Sequence, residues 1–256
     1  MYNLLISNFD FRRFKKFPAQ VAINRHEERY NRVMNIALIG YGKMGHAIEA
    51  TAAGRGHRVT LRIDNDAPWP ERIDADVAIE FTTPSTATAN LLRCLQGGMP
   101  VVCGTTGWYA DYGRVVEECM RLEGRLFTAT NFSIGMNIMF ALNRRLAELM
   151  RGRDDYRASI SETHHIHKLD APSGTAITLQ EQIVADGGRD KEGVPIASIR
   201  EGEVPGTHTV VYDSETDTLT LTHEAHSRKG LAVGALLAAE FLATAQPGVY
   251  TMEDIL

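Results

Sequence analysis

Asn35-Ile36-Ala37-Leu38-Ile39-Gly40-Tyr41-Gly42-Lys43-Met44-Gly45 runs from an unbroken apolar segment straight into three spaced glycines. An apolar run of this length, closed by a turn signal, reads as a strand buried on both faces. A helical pattern follows from about Lys43 to Ala53, and Gly54 and Gly56 break it. A second strand covers His57 to Ile63 and ends at Asp64, 19 residues beyond Gly45. Strand, glycine loop, helix, strand and acid in this order form a dinucleotide-binding fingerprint. Gly40, Tyr41, Gly42, Lys43, Met44 and Gly45 would make the loop, whose glycines let a pyrophosphate approach the helix N-terminus. Asp64 would accept from the ribose hydroxyls.

Outward from that unit, strand and helix patterns keep alternating. Asp76–Phe81 reads as a third strand, Ser85–Gln96 as a helix and Pro100–Cys103 as a fourth strand. A helix from about Ala110 to Leu122 leads to a fifth strand, Arg125–Ala129. Such alternation predicts an α/β fold with a Rossmann-type, doubly wound parallel sheet. Ligands of these sheets sit outside the carboxyl ends of the strands. Phe81 and Thr82, then Gly104, Thr105 and Thr106, then Thr130, Asn131, Phe132 and Ser133 all fall at such ends. Taken alone, Gly-Thr-Thr-Gly is a polar turn.

From Gly135 the pattern changes. Ile138, Leu142, Leu146 and Leu149 suit one apolar face of a helix. Strand-like runs from Tyr156 to His164, Ile196 to Gly202, Thr207 to Asp213 and Leu219 to Glu224 are joined by turns. These predict a second, α+β domain with a mixed sheet. A last helix is expected from about Gly230 to Ala245. The domain reading is a dinucleotide-binding domain of 34–130 plus 229–256, with 131–228 as a substrate-binding and oligomerisation domain.

The densest chemistry lies in Glu162-Thr-His164-His165-Ile-His167-Lys168-Leu-Asp170-Ala-Pro172-Ser173-Gly174-Thr175-Ala176. Glu162 and His164 share one face of the strand, Thr163 and His165 the other. Asp170-Ala-Pro172-Ser173 starts a helix, whose first N–H groups at Ser173, Gly174 and Thr175 form an anion site. Lys168 adds a cation and the histidines a proton source near neutral pH. The group suggests a site that holds a carboxylate or phosphate and donates a proton beside it.

This stretch closely resembles the motif of the dihydrodipicolinate reductase family, Glu-x-His-His-x-x-Lys-x-Asp-Ala-Pro-Ser-Gly-Thr-Ala, at every specified position from Glu162 to Ala176. The resemblance covers nearly everything after residue 34, with a glycine loop one residue shorter than in many members. It implies reduction of 4-hydroxy-tetrahydrodipicolinate to tetrahydrodipicolinate with NAD(P)H, in lysine and diaminopimelate synthesis. On this reading His164 donates the proton and Lys168 stabilises charge on the substrate. His165, Ser173, Gly174 and Thr175 hold a carboxylate, and the three strand-end segments line the nicotinamide side of the cofactor site. The resemblance also implies a homotetramer built through the second domain. Asp64, with no arginine or lysine directly after it, favours NADH, with NADPH accepted. Other readings of the fold are a non-catalytic dinucleotide sensor or another small dehydrogenase, such as one acting on aspartate.

Composition sets the remaining bounds. A net charge of −5 argues against a nucleic-acid partner, and no apolar run approaches a membrane span. Three scattered cysteines suggest neither disulfides nor a zinc site and fit a reducing cytoplasm. No metal is expected, because adjacent strand residues face apart and His223 and His226 lack zinc-peptidase spacing. Residues 1–33 carry aromatics and cations without an apolar core, and read as an upstream extension or misassigned start before Met34.

Overall fold

The computed structural model describes residues 33–64 and 67–256, so the expectation for the N-terminal extension lies, Val33 apart, outside the described residues. In chain order the elements are β1 (Asn35–Ile39), α1 (Lys43–Gly54), β2 (Arg58–Ile63), β3 (Val77–Glu80), α2 (Pro84–Gln96) and β4 (Val101–Cys103). Next come α3 (Tyr112–Arg121), β5 (Arg125–Thr128), α4 (Ile134–Leu149), β6 (Arg157–His164) and α5 (Gly174–Gly187). The chain closes with β7 (Ile196–Arg200), β8 (Gly206–Asp213), β9 (Thr218–Ala225), α6 (Lys229–Thr244) and β10 (Gly248–Tyr250). They form two compact units, one of the described residues up to Thr130 with Ala232–Ile255, the other of Asn131–Leu231 with Leu256.

The first unit holds a six-stranded sheet in the order β10-β5-β4-β3-β1-β2. All its pairings are parallel. β3 and β4 are buried at every residue, as strands covered on both faces must be. The strand order turns back at β1, which lies between β2 and β3, so the switch point falls at the end of β1. Pro84 opens α2, where a missing N–H costs nothing, and the Thr83 N–H is met by Thr86 Oγ1 at 3.4 Å. Buried Glu240 ties α6 into this unit. It pairs with Arg55 at 2.7 Å and His57 at 2.9 Å, and His57 Nδ1 accepts from the Met34 N–H at 3.3 Å. β10 has no counterpart among the sequence expectations. It is three residues long and half-buried, too short for periodicity to register.

The second unit is a four-stranded sheet in the order β7-β6-β8-β9, with β7 parallel to β6 and the other pairs antiparallel. β6 alternates cleanly. Ala158, Ile160, Glu162 and His164 are buried, and the residues between them are half-buried. β8 buries Gly206, His208, Val210 and Tyr212 in the same rhythm. Ala158, Ile160, Val210 and Tyr212 pack with Met136, Met139, Leu179 and Ile183 of α4 and α5 into one core. Towards the end of β6 that inward face turns polar, and the register sets Glu162 opposite His208.

The apolar face expected for α4 is mostly its outer one. Ile138, Leu142 and Leu149 are 46%, 50% and 59% exposed, and Leu146 alone is partly packed on the core. The buried side carries Met136, Met139, Asn143 and Ala147. Asn143 donates to the Leu179 carbonyl at 3.1 Å, and small residues let the helices approach at Ala147 and Gly187.

Candidate functional site

In the second unit the site grows from Glu162, whose side chain is fully buried. Its Oε1 accepts from the Ser173 N–H at 3.0 Å, from Ser198 Oγ at 2.8 Å and from Arg200 Nη2 at 3.3 Å. Its Oε2 lies 3.5 Å from His164 Nδ1 and 3.6 Å from His208 Nε2. The two rings meet edge-on, 4.9 Å apart between centroids. Ser173 caps α5, its Oγ accepting from the Ala176 N–H at 3.2 Å and touching His208 Nε2 at 3.2 Å. The carboxylate thus anchors the strand, the helix start and both imidazoles.

Arg200 fixes the loop between β6 and α5, donating to the Lys168 carbonyl at 3.3 Å and the Asp170 carbonyl at 2.5 Å. Lys168 Nζ rests on the Asp170 carboxylate at 2.7 and 2.9 Å. Gly174 is exposed, and an added Cβ would meet nothing within 4 Å, so the backbone there is open to a ligand. Thr175 is half-buried and accepts from Asn131 Nδ2 at 3.5 Å.

Burial opposes charge on each of these groups, and the outcome differs by residue. It would raise the Glu162 carboxyl, yet hydrogen bonds from Ser173 and Ser198 hold it below the usual range. It depresses His164, against the pull of Glu162, with Lys168 and Arg200 adding to the depression. It pushes His208 down to about 4, so that ring is neutral at physiological pH. Asp170 would likewise rise by burial, but Lys168 holds it down.

Glu162, His164 and His208 bring donor atoms within 4.8 Å of one another, the one such grouping among the described residues. Arg200 already supplies the counter-charge at 3.3 Å, and the fields of Lys168 and Arg200 oppose a dication at His164. Glu162, His164, His208 and Arg200 form an ion-paired network.

In the first unit the loops after β1, β3 and β4 lie side by side. Gly40 has φ +90°, and an added Cβ would fall 1.9 Å from the Phe81 carbonyl oxygen, so only glycine fits. A Cβ on Gly104 would collide with the Phe81 ring at 2.1 Å. Gly42 has open space, and α1 starts there without a side-chain cap or an acid in its first turn. An uncapped helix start behind an open glycine fits a pyrophosphate. Asp64 Oδ1 accepts from the Tyr41 N–H at 3.2 Å, which places the acid beside the loop. Thr105 Oγ1 accepts from the Thr82 N–H at 2.7 Å and joins the next two loops. Thr106 is exposed at the same edge. Arg62 donates to Glu49 through Nε and Nη2 and lies over the Tyr41 ring, whose hydroxyl also donates to Glu49. Hydrogen bonds from Arg62 and Tyr41 draw the Glu49 carboxyl down to about 2.

The residues singled out from sequence therefore fall in two groups. Gly40, Tyr41, Gly42, Lys43, Met44, Gly45, Asp64, Phe81, Thr82, Gly104, Thr105 and Thr106 gather at one edge of the large sheet. Thr130 ends the first unit, while Asn131, Phe132 and Ser133 begin the second, at the start of α4. His164, His165, Lys168, Ser173, Gly174 and Thr175 gather at the end of β6. Ser173 differs from the expectation of an open donor, because its N–H is taken by Glu162 and its hydroxyl by α5 and His208. Gly174 and Thr175 keep the open N–H positions. His167 points to Glu203 at 3.2 Å on the surface. His208, Arg200 and Ser198 were missed. Their signal was positional, since strand pairing alone sets them beside Glu162.

Two family descriptions match almost the whole chain beyond its first residues. The dihydrodipicolinate reductase N-terminus matches residues 34–132, and the C-terminus matches residues 135–256. The chain belongs to the dihydrodipicolinate reductase family. A 4-hydroxy-tetrahydrodipicolinate reductase of Christiangramia forsetii is 44% identical over 234 residues, covering 87% of this chain and 98% of that protein. The enzyme of the same name from Methanopyrus kandleri is 38% identical over 198 residues, covering 72% of each. The dipicolinate-bound dihydrodipicolinate reductase of Paenisporosarcina sp. TG-14 shares the fold. Its TM-score is 0.74 at 22% identity, covering 88% of this chain and all of that one. Members of the family are pyridine-nucleotide-dependent oxidoreductases, so the dinucleotide fold carries chemistry here.

Proposed function

We propose that this protein reduces 4-hydroxy-tetrahydrodipicolinate to tetrahydrodipicolinate in lysine and diaminopimelate synthesis, with NADH preferred and NADPH accepted. The observation that carries the reading is one strand end. There a histidine, a lysine and an open helix start converge, on a chain 44% identical to a protein of that activity. The 4-hydroxyl leaves as water, and bound nicotinamide would supply the hydride that reduces the resulting unsaturated ring. The loop from Gly40 to Gly45 and Asp64 hold the dinucleotide, and Phe81, Thr82, Gly104–Thr106 and Thr130–Ser133 line its nicotinamide side. The N–H groups of Gly174 and Thr175, with His165, seat one substrate carboxylate. Lys168 leaves Asp170 to meet negative charge on the substrate, and His164 delivers the balancing proton from Nε2.

The outer side of the small sheet supports the further reading of a homotetramer built through this unit, with Ile199, the partner of Thr163 in the β6–β7 register, 47% exposed there. A single-chain mass in sedimentation would contradict it. We also place the protein in the cytoplasm, with no membrane or nucleic-acid partner; no helix among the described residues is long and apolar enough to cross a membrane.

Two substitutions separate the catalytic roles. His164→Gln should leave NADH binding near normal and cut kcat roughly 10²-fold or more, the scale of a lost general acid. Lys168→Ala should lower kcat and also raise KM. Near-normal turnover of His164→Gln across pH would overturn the assignment.

A further inference from the structure

We propose that Glu162, shared between His164 and His208, is the positioning residue that sets the orientation and proton affinity of His164. The inference rests on the reading of His164 as proton donor and goes beyond it, since it concerns which groups keep that ring ready.

Glu162 has no route to the substrate. It is 1% exposed, and Oε1 is saturated by Ser173, Ser198 and Arg200. Oε2 has no hydrogen bond of ordinary length, and neither has His164 Nδ1, though both are buried and 3.5 Å apart. Closing that gap by a few tenths of an ångström makes an Nδ1–H···Oε2 bond. A proton held on Nδ1 leaves Nε2 as the nitrogen that gains and loses the transferable proton. Nε2 faces Gly206, where an added Cβ would lie only 3.1 Å away. A glycine therefore keeps space at the nitrogen that must work.

His208 modulates this pair. Its Nε2 lies 3.6 Å from the same Oε2, and burial keeps the ring neutral. A neutral ring can share the carboxylate without competing as a second cation. The other charges on His164 come from Lys168 and Asp170 in the following loop and Arg200 at the end of β7. Lys168 and Arg200 disfavour the imidazolium; Asp170 and Glu162 favour it, and Glu162 is in contact. Removing its charge lowers the proton affinity of His164. Removing His208 leaves the carboxylate to His164 alone and raises it.

The experiment is the pH profile of kcat for wild type, Glu162→Gln, His208→Phe and His164→Gln. It is paired with NMR titration of the His164 ring and with NADH binding as a control for folding. Turnover needs the charged ring, so it falls as pH rises through the His164 pKa. In Glu162→Gln that alkaline limb and the NMR midpoint should move down by roughly one pH unit or more, the usual size for a lost opposite charge in contact. In His208→Phe both should move up, which keeps the test alive if Glu162→Gln does not fold. A merely structural role would lower kcat in both variants with the midpoints unmoved, and that result overturns the proposal alone. Turnover surviving in His164→Gln overturns the donor reading, and the proposal with it.

Discussion

Asp64 and Arg62 lie two residues apart, and we propose that their surroundings set the choice of cofactor. Asp64 stands against the Tyr41 N–H, where an acid meets the ribose hydroxyls. Arg62, the nearest candidate partner for a 2′-phosphate, is engaged by Glu49 and Tyr41. We expect wild type to favour NADH in kcat/KM at low salt, where surface charge is least screened. Asp64→Ala should move the ratio towards NADPH. Glu49→Ala should do the same by freeing Arg62, and adding Arg62→Ala should cancel that gain. A wild-type preference for NADPH of about tenfold or more would contradict the assignment (about 1.4 kcal/mol in transition-state binding). The sequence showed Asp64 and Arg62 but not Glu49, which sits one helix away and joins them only through the packing of α1 on β2. His208 was hidden for the same reason. It is 44 residues from His164 in sequence, and only the β6–β8 register makes them neighbours. The motif from Glu162 to Ala176 was legible because its parts are local: a strand end, a turn and a helix start.

At the level of elements, the parallel strands and their helices were readable because glycines and prolines punctuate continuous apolar runs. α4 shows where this fails. Periodicity picks the more hydrophobic stripe, Ile138, Leu142, Leu146 and Leu149, yet the core takes Met136, Met139, Asn143 and Ala147. A polar asparagine and a small alanine do not advertise burial, but one satisfies the Leu179 carbonyl and the other admits α5 closely. Ala147→Leu should therefore destabilise the protein by about 1–3 kcal/mol through overpacking, read in denaturant melts. Leu142→Ser should cost under about 0.5 kcal/mol in the isolated chain, as surface changes do. The reverse ranking would show the helix face misassigned. The β6–β8 pair makes a second prediction. The folded pKa of His208 lies near 4 against an ordinary 6.5, so the unfolded chain binds the extra proton between those values. Stability from this group is complete above about 6.5 and declines as pH falls towards 4. Melting temperature should fall over that window in wild type, and less steeply in His208→Phe. Equal slopes would show that His208 is not held neutral.

Over the whole molecule, one chain builds two units with complementary equipment. One presents a glycine loop, an uncapped helix start and an acid at the edge of a parallel sheet. The other presents a histidine, a lysine and an open helix start at the end of a mixed sheet. The passage from a parallel sheet to a second, mixed sheet was visible from the change of pattern at Gly135. What was not visible is the shared carboxylate of Glu162, which binds strand, loop and helix of the second unit into one site. The central claim is that this equipment reduces 4-hydroxy-tetrahydrodipicolinate. The most direct measurement is the loss of ultraviolet absorbance of NADH when that compound, freshly prepared, is added to the purified full chain. The account predicts stoichiometric oxidation of NADH that saturates with substrate and collapses in His164→Gln. No oxidation of NADH or NADPH with fresh substrate, by a folded protein that binds the cofactor, would contradict it.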